Sequence, residues 1–382
     1  MERIYSRSRI PDRHSEYRRL VMKTRVNELR KALEGEKIDA LLVSNPENRR
    51  YLSGFSGSAG YLIISPDKSI LATDFRYVEQ AGRQSPDFEV LRIGGNQSWL
   101  SEILKTHGIN RLGFESNNLT VAQHETILKS LETNLPDGSI SLVGTSNIVE
   151  ILRSIKDADE MVALTKAIEI SDQAFTNIAP TIRAGQTEKE IAWLLEKEVR
   201  MLGGDAISFD TIVASGPNAA LPHHRPSEKP VSIGEPIIID MGALYEGYCS
   251  DLSRTIFVGE PDEIFKKIYD IVLGAQLTAI ATVTNGMSGQ TVDGLARTVI
   301  EEAGYGDNFG HSLGHGVGLA VHENPGVGPN STHVIEEGMP FTIEPGIYVS
   351  GWGGVRIEDI VVMENGKARV ISNAPKLGML GG

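Results

Sequence analysis

The sequence predicts an α/β (α+β) chain with two structured domains joined by a helical linker. Short apolar runs of strand length alternate with helical patterns across residues 24–150. A long amphipathic stretch begins at about residue 158, which places the domain boundary near residue 150. The second part contains an internal repeat, which predicts two related αβ halves. A chain of 382 residues has room for this arrangement.

The first predicted domain spans residues 23–150. Val26, Leu29 and Leu33 recur at helical spacing, which predicts an amphipathic helix. The apolar run at 40–43 predicts a buried strand, and further strand and helix patterns follow it.

Residues 1–22 predict a disordered arm. Arginines are frequent there, but acidic residues are mixed with them and no apolar stretch follows, so a secretory signal is not indicated. Met22 precedes the first clear helical pattern, and the sequence leaves open whether Met1 or Met22 is the true start.

Composition narrows the range of functions. The net charge of −13 argues against a general nucleic-acid binder, which normally carries a basic face. The single cysteine, Cys249, suits a reducing compartment and predicts a cytoplasmic location. No run of 18 apolar residues is present, so no membrane span is predicted.

The second domain, residues 151–382, repeats a short motif. Gly185-Gln186-Thr187 and Gly289-Gln290-Thr291 each open a helical pattern, and strand-rich stretches follow both. Thr187 and Glu190 form a capping-box pattern at the first helix. A site at the junction of two such halves is expected.

Two carboxylates stand at suitable positions on a predicted hairpin. Asp240 ends the apolar run at 236–239, and Asp251 follows after a turn region. Two carboxylates brought together repel each other unless they share a proton or bind a cation. The alternative is that Asp240 is a turn residue and Asp251 a solvated charge.

A histidine-rich stretch and two glutamates add further candidate metal ligands to these two carboxylates. Three histidines lie within a short glycine-rich segment, which indicates a functional site: His311, His315 and His322. The alternative for each of them is a structural, hydrogen-bonded histidine. Glu344 ends another apolar strand, and Glu358 follows Arg356 on the same face of a predicted strand. Four carboxylates with one imidazole suit two divalent ions, with Mn²⁺ expected and Co²⁺, Fe²⁺ or Zn²⁺ as alternatives.

The ordered set of Asp240, Asp251, His315, Glu344 and Glu358 resembles the ligand set of the pita-bread metallopeptidases, in the aminopeptidase P and prolidase branch. The resemblance covers about residues 24–382. It implies a creatinase-type N-terminal α/β domain at 23–150 and a pita-bread catalytic domain at 151–382.

The resemblance also implies roles for the metal ligands. Asp240 would bind one metal, His315 and Glu344 the other, and Asp251 and Glu358 would bridge them. A hydroxide held by both metals would attack the scissile carbonyl, with Glu344 as general base and acid.

Further roles follow from the same resemblance. His322 and His223 would contact the substrate and stabilise the tetrahedral intermediate, although His224 is adjacent to His223. His311 and Arg356 would position the substrate or support the ligands.

The activity implied is that of an Xaa-Pro aminopeptidase, which removes the residue before a proline at the second position. The alternative is an Xaa-Pro dipeptidase (prolidase). Gly326 stands where many dipeptidases of this branch have an arginine for the dipeptide carboxylate, which favours the aminopeptidase. A small-molecule hydrolase and a non-catalytic binding protein are less favoured. The resemblance also suggests a homodimer.

Overall fold

The computed structural model describes residues 13–95, 98–135, 138, 140–376 and 379–380. The chain divides into two compact units, the first ending at Leu152 and the second starting at Arg153. This division lies close to the boundary expected near residue 150. Residues 1–12 of the predicted arm lie outside the described residues, whereas residues 13–22 lie in a helix rather than in an irregular segment.

The first unit is built on a six-stranded sheet in the order β4-β3-β2-β1-β5-β6. Its strands are β1 (Ala40–Val43), β2 (Tyr61–Ile64), β3 (Ser69–Thr73), β4 (Glu89–Arg92), β5 (Arg111–Glu115) and β6 (Ser141–Thr145). Its helices are α1 (Arg13–Glu34), α2 (Pro46–Ser53), α3 (Val78–Gln84), α4 (Ser98–Thr106), α5 (Val121–Asn134) and α6 (Ile148–Ser154), the last of which crosses the division. All four residues of β1 are buried, which explains its continuous apolar run.

The second unit contains two helix pairs and several sheets. Its helices are α7 (Ala158–Ile178), α8 (Glu188–Met201), α9 (Glu263–Thr282) and α10 (Gly289–Glu302). Its strands are β7 (Ala206–Ile207), β8 (Ile212–Ser215), β9 (Pro236–Met241), β10 (Ala243–Tyr245), β11 (Tyr248–Cys249), β12 (Leu252–Val258), β13 (Gly314–Gly316), β14 (Glu323–Val327), β15 (Pro340–Ile343), β16 (Gly346–Val349), β17 (Gly353–Arg356), β18 (Asp359–Glu364), β19 (Lys367–Val370) and β20 (Met379–Leu380).

Each helix pair packs on a sheet of its own. Helices α7 and α8 share a core with β9 and β12, which belong to the sheet β20-β12-β9-β8. Helices α9 and α10 share a core with β15 and β18, which belong to the sheet β14-β13-β15-β18-β19. Two αβ halves therefore make up this unit, as the repeat predicts.

The repeat is nevertheless offset from the Gly-Gln-Thr triplets. Helix α8 is capped by Thr187, the third residue of its triplet, whereas α10 is capped by Ser288, three residues before Thr291. A glycine with positive φ stands two residues before each cap, Gly185 at 93° and Gly286 at 89°. The glycine-to-cap spacing thus relates the halves, and Glu188 corresponds to Gly289.

Within the described part of the chain, no helix has both the length and the apolar character needed to cross a membrane.

Candidate metal centre and active site

The second unit contains an open cavity of about 610 Å³. The titratable side chains predicted for the site lie along its wall, with one exception, Glu358. The lining includes His223, Asp240, Asp251, His311, His315, His322, Glu344 and Arg356. Glu358 is only 1% exposed, and a carboxylate oxygen of it lies within 4.8 Å of ligand atoms of Asp251 and His315. Residues scattered over the last part of the sequence are thus brought to one place.

Asp240 is positioned by a pair of antiparallel strands. Its strand, β9, is otherwise buried and apolar, and it pairs with β12. Ser253 lies directly opposite Asp240, whereas Asp251 comes just before β12. The predicted pairing of the two strands is present, with Asp251 two residues away from the position facing Asp240.

His315 lies at the centre of a short strand packed between two others. Strand β13 pairs with β14 on one side and β15 on the other. A Cβ atom on Gly314 would lie 2.0 Å from the carbonyl oxygen of Thr342, and one on Gly316 would lie 2.0 Å from that of Asn324. The flanking glycines therefore allow a close approach to the neighbouring strands.

The ligand atoms form a compact cluster. Single donor atoms of Asp251, His315 and Glu358 all lie within 4.8 Å of one another. His315 Nε2 is 3.3 Å from Glu344 Oε1 and 3.6 Å from Asp251 Oδ2. This set of oxygen and nitrogen donors is one that divalent transition metals favour.

Two carboxylate oxygens of the predicted metal ligands are buried without a hydrogen-bond partner among the described residues. They are Oδ1 of Asp240 and Oε1 of Glu358. Buried polar atoms are normally paired, so an unpaired oxygen at such a place needs a partner of another kind. A divalent cation supplies such a partner, and the residues present therefore fit the predicted metal centre.

The electrostatics of the cluster favour positive charge. Burial and the neighbouring carboxylates hold the pKa values of Asp251 and Glu358 well above their ordinary range. Burial alone would lower the pKa of His315, but its contacts with Glu344 and Asp251 outweigh burial and raise it to about 9. A bound cation would relieve the same repulsion between carboxylates.

Removal of divalent metal is expected to destabilise the protein as well as to stop catalysis. A ligand that binds only the folded state stabilises it by about 2.7 kcal/mol at 100 times its dissociation constant. Thermal unfolding of chelator-treated protein, with and without added Mn²⁺, measures this effect, with Ca²⁺ as the control ion. An unfolding temperature that does not respond to Mn²⁺ would contradict the metal centre.

Arg356 makes its shortest hydrogen bond with a predicted metal ligand. Its guanidinium donates to Asp240 at 2.5 Å, to Ser253 at 2.8 Å and to the Tyr348 hydroxyl at 2.9 Å. The Tyr348 oxygen is also 2.9 Å from His311 Nε2. The predicted substrate-positioning residues are therefore tied to the Asp240 side of the site, and their action on a substrate stays a prediction.

The remaining histidines separate clearly. His223 lines the cavity, whereas His224 Nε2 lies 2.8 Å from a carboxylate oxygen of Glu188. The ring of His322 lies edge-on to that of His315, with 4.3 Å between centroids. Of the two adjacent histidines, His223 is thus the one that lines the cavity.

Three supporting residues were not predicted. Thr342 donates from its hydroxyl to Glu344 at 3.1 Å, and Ser253 and Tyr348 hold Arg356. Thr342 precedes Glu344 by two residues, so strand periodicity offered a signal for it. Tyr348 offered none, because its contact arises only from the pairing of β16 with β17.

Family models match both parts of this chain. Residues 162–365 match the model for metallopeptidase family M24, and residues 25–155 match the creatinase/prolidase N-terminal domain. The chain belongs to metallopeptidase family M24. The predicted family and enzyme class are therefore confirmed, as is the fold of a creatinase-type N-terminal domain followed by a pita-bread catalytic domain.

Relatives in the M24 family match along nearly their whole length. The uncharacterized peptidase YqhT of Bacillus subtilis is 43% identical over 344 residues, which cover 89% of this chain and 95% of YqhT. The Xaa-Pro dipeptidase of Pyrococcus furiosus is 38% identical over 360 residues, which cover 93% of this chain and all of that protein (100%).

Solved M24 structures agree with the fold. The Xaa-Pro dipeptidase from Bacillus anthracis has a TM-score of 0.90 at 42% identity, covering 94% of this chain and 100% of that one. The X-Pro aminopeptidase from Thermotoga maritima has a TM-score of 0.82 at 38% identity, covering 92% and 99%.

Proposed function

We propose that this M24 enzyme hydrolyses the bond between an N-terminal residue and a following proline, with Xaa-Pro dipeptides as its main substrates. The carboxylate and histidine cluster in the wall of the cavity carries the assignment of hydrolysis. Proteins from two Pyrococcus species named Xaa-Pro dipeptidase, 38% and 37% identical to this chain, support the substrate. These relatives favour the dipeptidase over the aminopeptidase that the sequence favoured.

The metals would be held by five side chains of the second unit: Asp240, Asp251, His315, Glu344 and Glu358. Divalent ions in this position supply a lowered pKa for water and polarisation of the scissile carbonyl. Glu344 is suited to take the proton of the attacking water and return it to the leaving proline nitrogen. The Thr342 hydroxyl fixes the orientation of this carboxylate through its 3.1 Å hydrogen bond.

His322 and His223 are proposed to act on the substrate. Both line the cavity from different segments of the second unit. Each can donate one ring N–H to a substrate oxygen, and donors aimed at a developing oxyanion lower the barrier by about 3 kcal/mol each. Neither ring is a member of the proposed ligand set.

An Xaa-Pro aminopeptidase is the second candidate. A dipeptide has a free carboxylate next to its proline, and recognition of that group needs a cation or several hydrogen-bond donors. The cavity wall at 326–331 carries no charged side chain, and Arg356, the only lysine or arginine among the described lining residues, is engaged by Asp240. This uncharged wall at Gly326 suits a longer peptide.

Comparison of Ala-Pro with Ala-Pro-Ala separates the candidates. With Mn²⁺-loaded enzyme, we expect kcat/KM for the dipeptide to be at least about tenfold higher, which corresponds to 1.4 kcal/mol of recognition of its carboxylate. Chelator should abolish the cleavage, and Ala-Ala serves as the control peptide without proline.

Each alternative has its own outcome in this experiment. Preferential cleavage of the tripeptide would make the enzyme an aminopeptidase. Cleavage of neither peptide would move the assignment to a small-molecule hydrolase or a binding protein.

We also propose that Mn²⁺ is the native metal and that the enzyme is a homodimer. Four carboxylates and one imidazole form a donor set that suits Mn²⁺. Metal analysis of the purified protein and analytical ultracentrifugation test these two points. The cytoplasmic location stays a prediction that cell fractionation can check.

A further inference from the structure

We propose that Glu188 is a positioning residue that fixes the loop carrying His223. The proposal rests on the role of His223 in the proposed function. Glu188 is the first residue of α8, and its side chain is fully buried. It is not among the residues that line the cavity, so it acts through the loop.

The Glu188 carboxylate accepts hydrogen bonds from both ends of this loop. One oxygen accepts from the backbone N–H and the hydroxyl of Ser215, each at 2.8 Å, and from the Asn218 amide at 2.9 Å. The other accepts from the backbone N–H of Ser227 at 3.1 Å and its hydroxyl at 2.6 Å. His223 lies between these two anchored ends.

The same carboxylate also holds the neighbour of His223. His224 Nε2 lies 2.8 Å from a Glu188 oxygen, and it is the donor because an ionised carboxylate only accepts. Burial would raise the pKa of Glu188, but these bonds, led by those from Ser227 and Asn218, outweigh burial and lower it to about 2. Glu188 is therefore ionised across the working pH range. It holds His224, and His223, the residue before it, is left facing the cavity.

The second half of the domain shows that the helix start does not need this carboxylate. Glu188 and Lys189 donate backbone N–H groups to the carbonyls of Lys229 and Ser227. Gly289 and Gln290, at the start of α10, donate in the same way to the carbonyls of His333 and Ser331. The two halves thus share the backbone contacts, and only the first adds a charged side chain.

Gly289 shows why the second half cannot use the same device. A Cβ atom on Gly289 would lie 2.2 Å from the carbonyl oxygen of Gly326. The loop there packs directly on the helix start, whereas the first half has room for a carboxylate between helix and loop. The additional bonds of Glu188 therefore serve the loop with His223 rather than the fold of the half.

A double-mutant cycle tests the proposal. Glu188→Gln keeps the size of the side chain but presents an amide group to several donors. We expect kcat/KM to fall by about 10- to 100-fold, as for a small misplacement of a catalytic group, with metal content retained. His223→Ala should lower kcat/KM at least as much, and the double variant should be no worse than His223→Ala alone. Glu190→Gln, an exposed change in the same helical turn, is the matched control and should keep full activity.

Hydrogen exchange provides a second measurement that does not depend on activity. In Glu188→Gln, the backbone amides of Ser215 and Ser227 should exchange faster, while that of Leu313 in the other half should not change. Fully multiplicative losses in the cycle, or unchanged exchange at Ser215 and Ser227, would overturn the role of Glu188. Full activity of His223→Ala with faster exchange in Glu188→Gln would instead overturn the proposed role of His223, and leave the anchoring of the loop supported.

Discussion

Replacing Asp251 with asparagine is expected to abolish metal binding and peptidase activity together. Asp251 is only 6% exposed, and its carboxylate lies in the cluster with His315 and Glu358. An asparagine keeps the shape but removes one charge and one strong oxygen ligand. Because bound metal supplies several kcal/mol of transition-state stabilisation, we expect kcat/KM to fall by at least about 1,000-fold.

The measurement pairs metal content with kinetics on the same preparation. Asp270→Asn is the matched control, since Asp270 is an exposed aspartate on α9 of the same unit. It should keep both metals and full activity. An Asp251→Asn enzyme that still cleaves its peptide at the parent rate would show that the ligand assignment is wrong.

Replacing Arg254 with alanine is expected to cost about 3–5 kcal/mol of unfolding free energy, the range for breaking a buried ion pair. Arg254 is 1% exposed, and its guanidinium pairs with Asp359 at 2.8 Å. It also donates to the backbone carbonyls of Ser253, Glu358, Ala374 and Pro375. Alanine would remove one donor from each of these acceptors, although the Ser253 carbonyl keeps the N–H of Glu358 and Asp359 keeps the ammonium group of Lys376.

Urea unfolding of the chelator-treated protein measures the cost without a contribution from bound metal. Arg369→Ala is the control, because the ion pair of Arg369 with Glu364 is about half exposed on both sides and such pairs contribute about 1 kcal/mol or less. Equal shifts of the unfolding midpoint in the two variants would refute the structural role of Arg254.

Local patterns were enough to mark the residues of the proposed ligand set, whose metal binding stays a prediction. Asp240 and Glu344 each end a buried apolar strand, and a carboxylate at such a position has little reason to be there without a partner. The glycines on both sides of His315 distinguished it from an ordinary structural histidine. The predicted fold and family followed from the order of these motifs, and both are confirmed by the family models.

Contacts between distant segments could not be predicted in the same way. Whether His223 or His224 reaches the cavity depends on Glu188, which precedes them by more than thirty residues. The contact of Arg356 with Asp240 depends on how β17 lies against β9. Periodicity reports which face a side chain occupies, but it does not report which other strand that face will meet.

Around His315, the positions that accept a new side chain least are the two neighbouring residues and not the proposed metal ligand. A ligand side chain points into a cavity, where a different donor could occupy the same space. Gly314 and Gly316 have no such space, since any Cβ atom would lie 2.0 Å from a neighbouring carbonyl oxygen. The fold is therefore expected to accept another side chain at His315, at the cost of the proposed metal ligand, more readily than any side chain at the two glycines beside it.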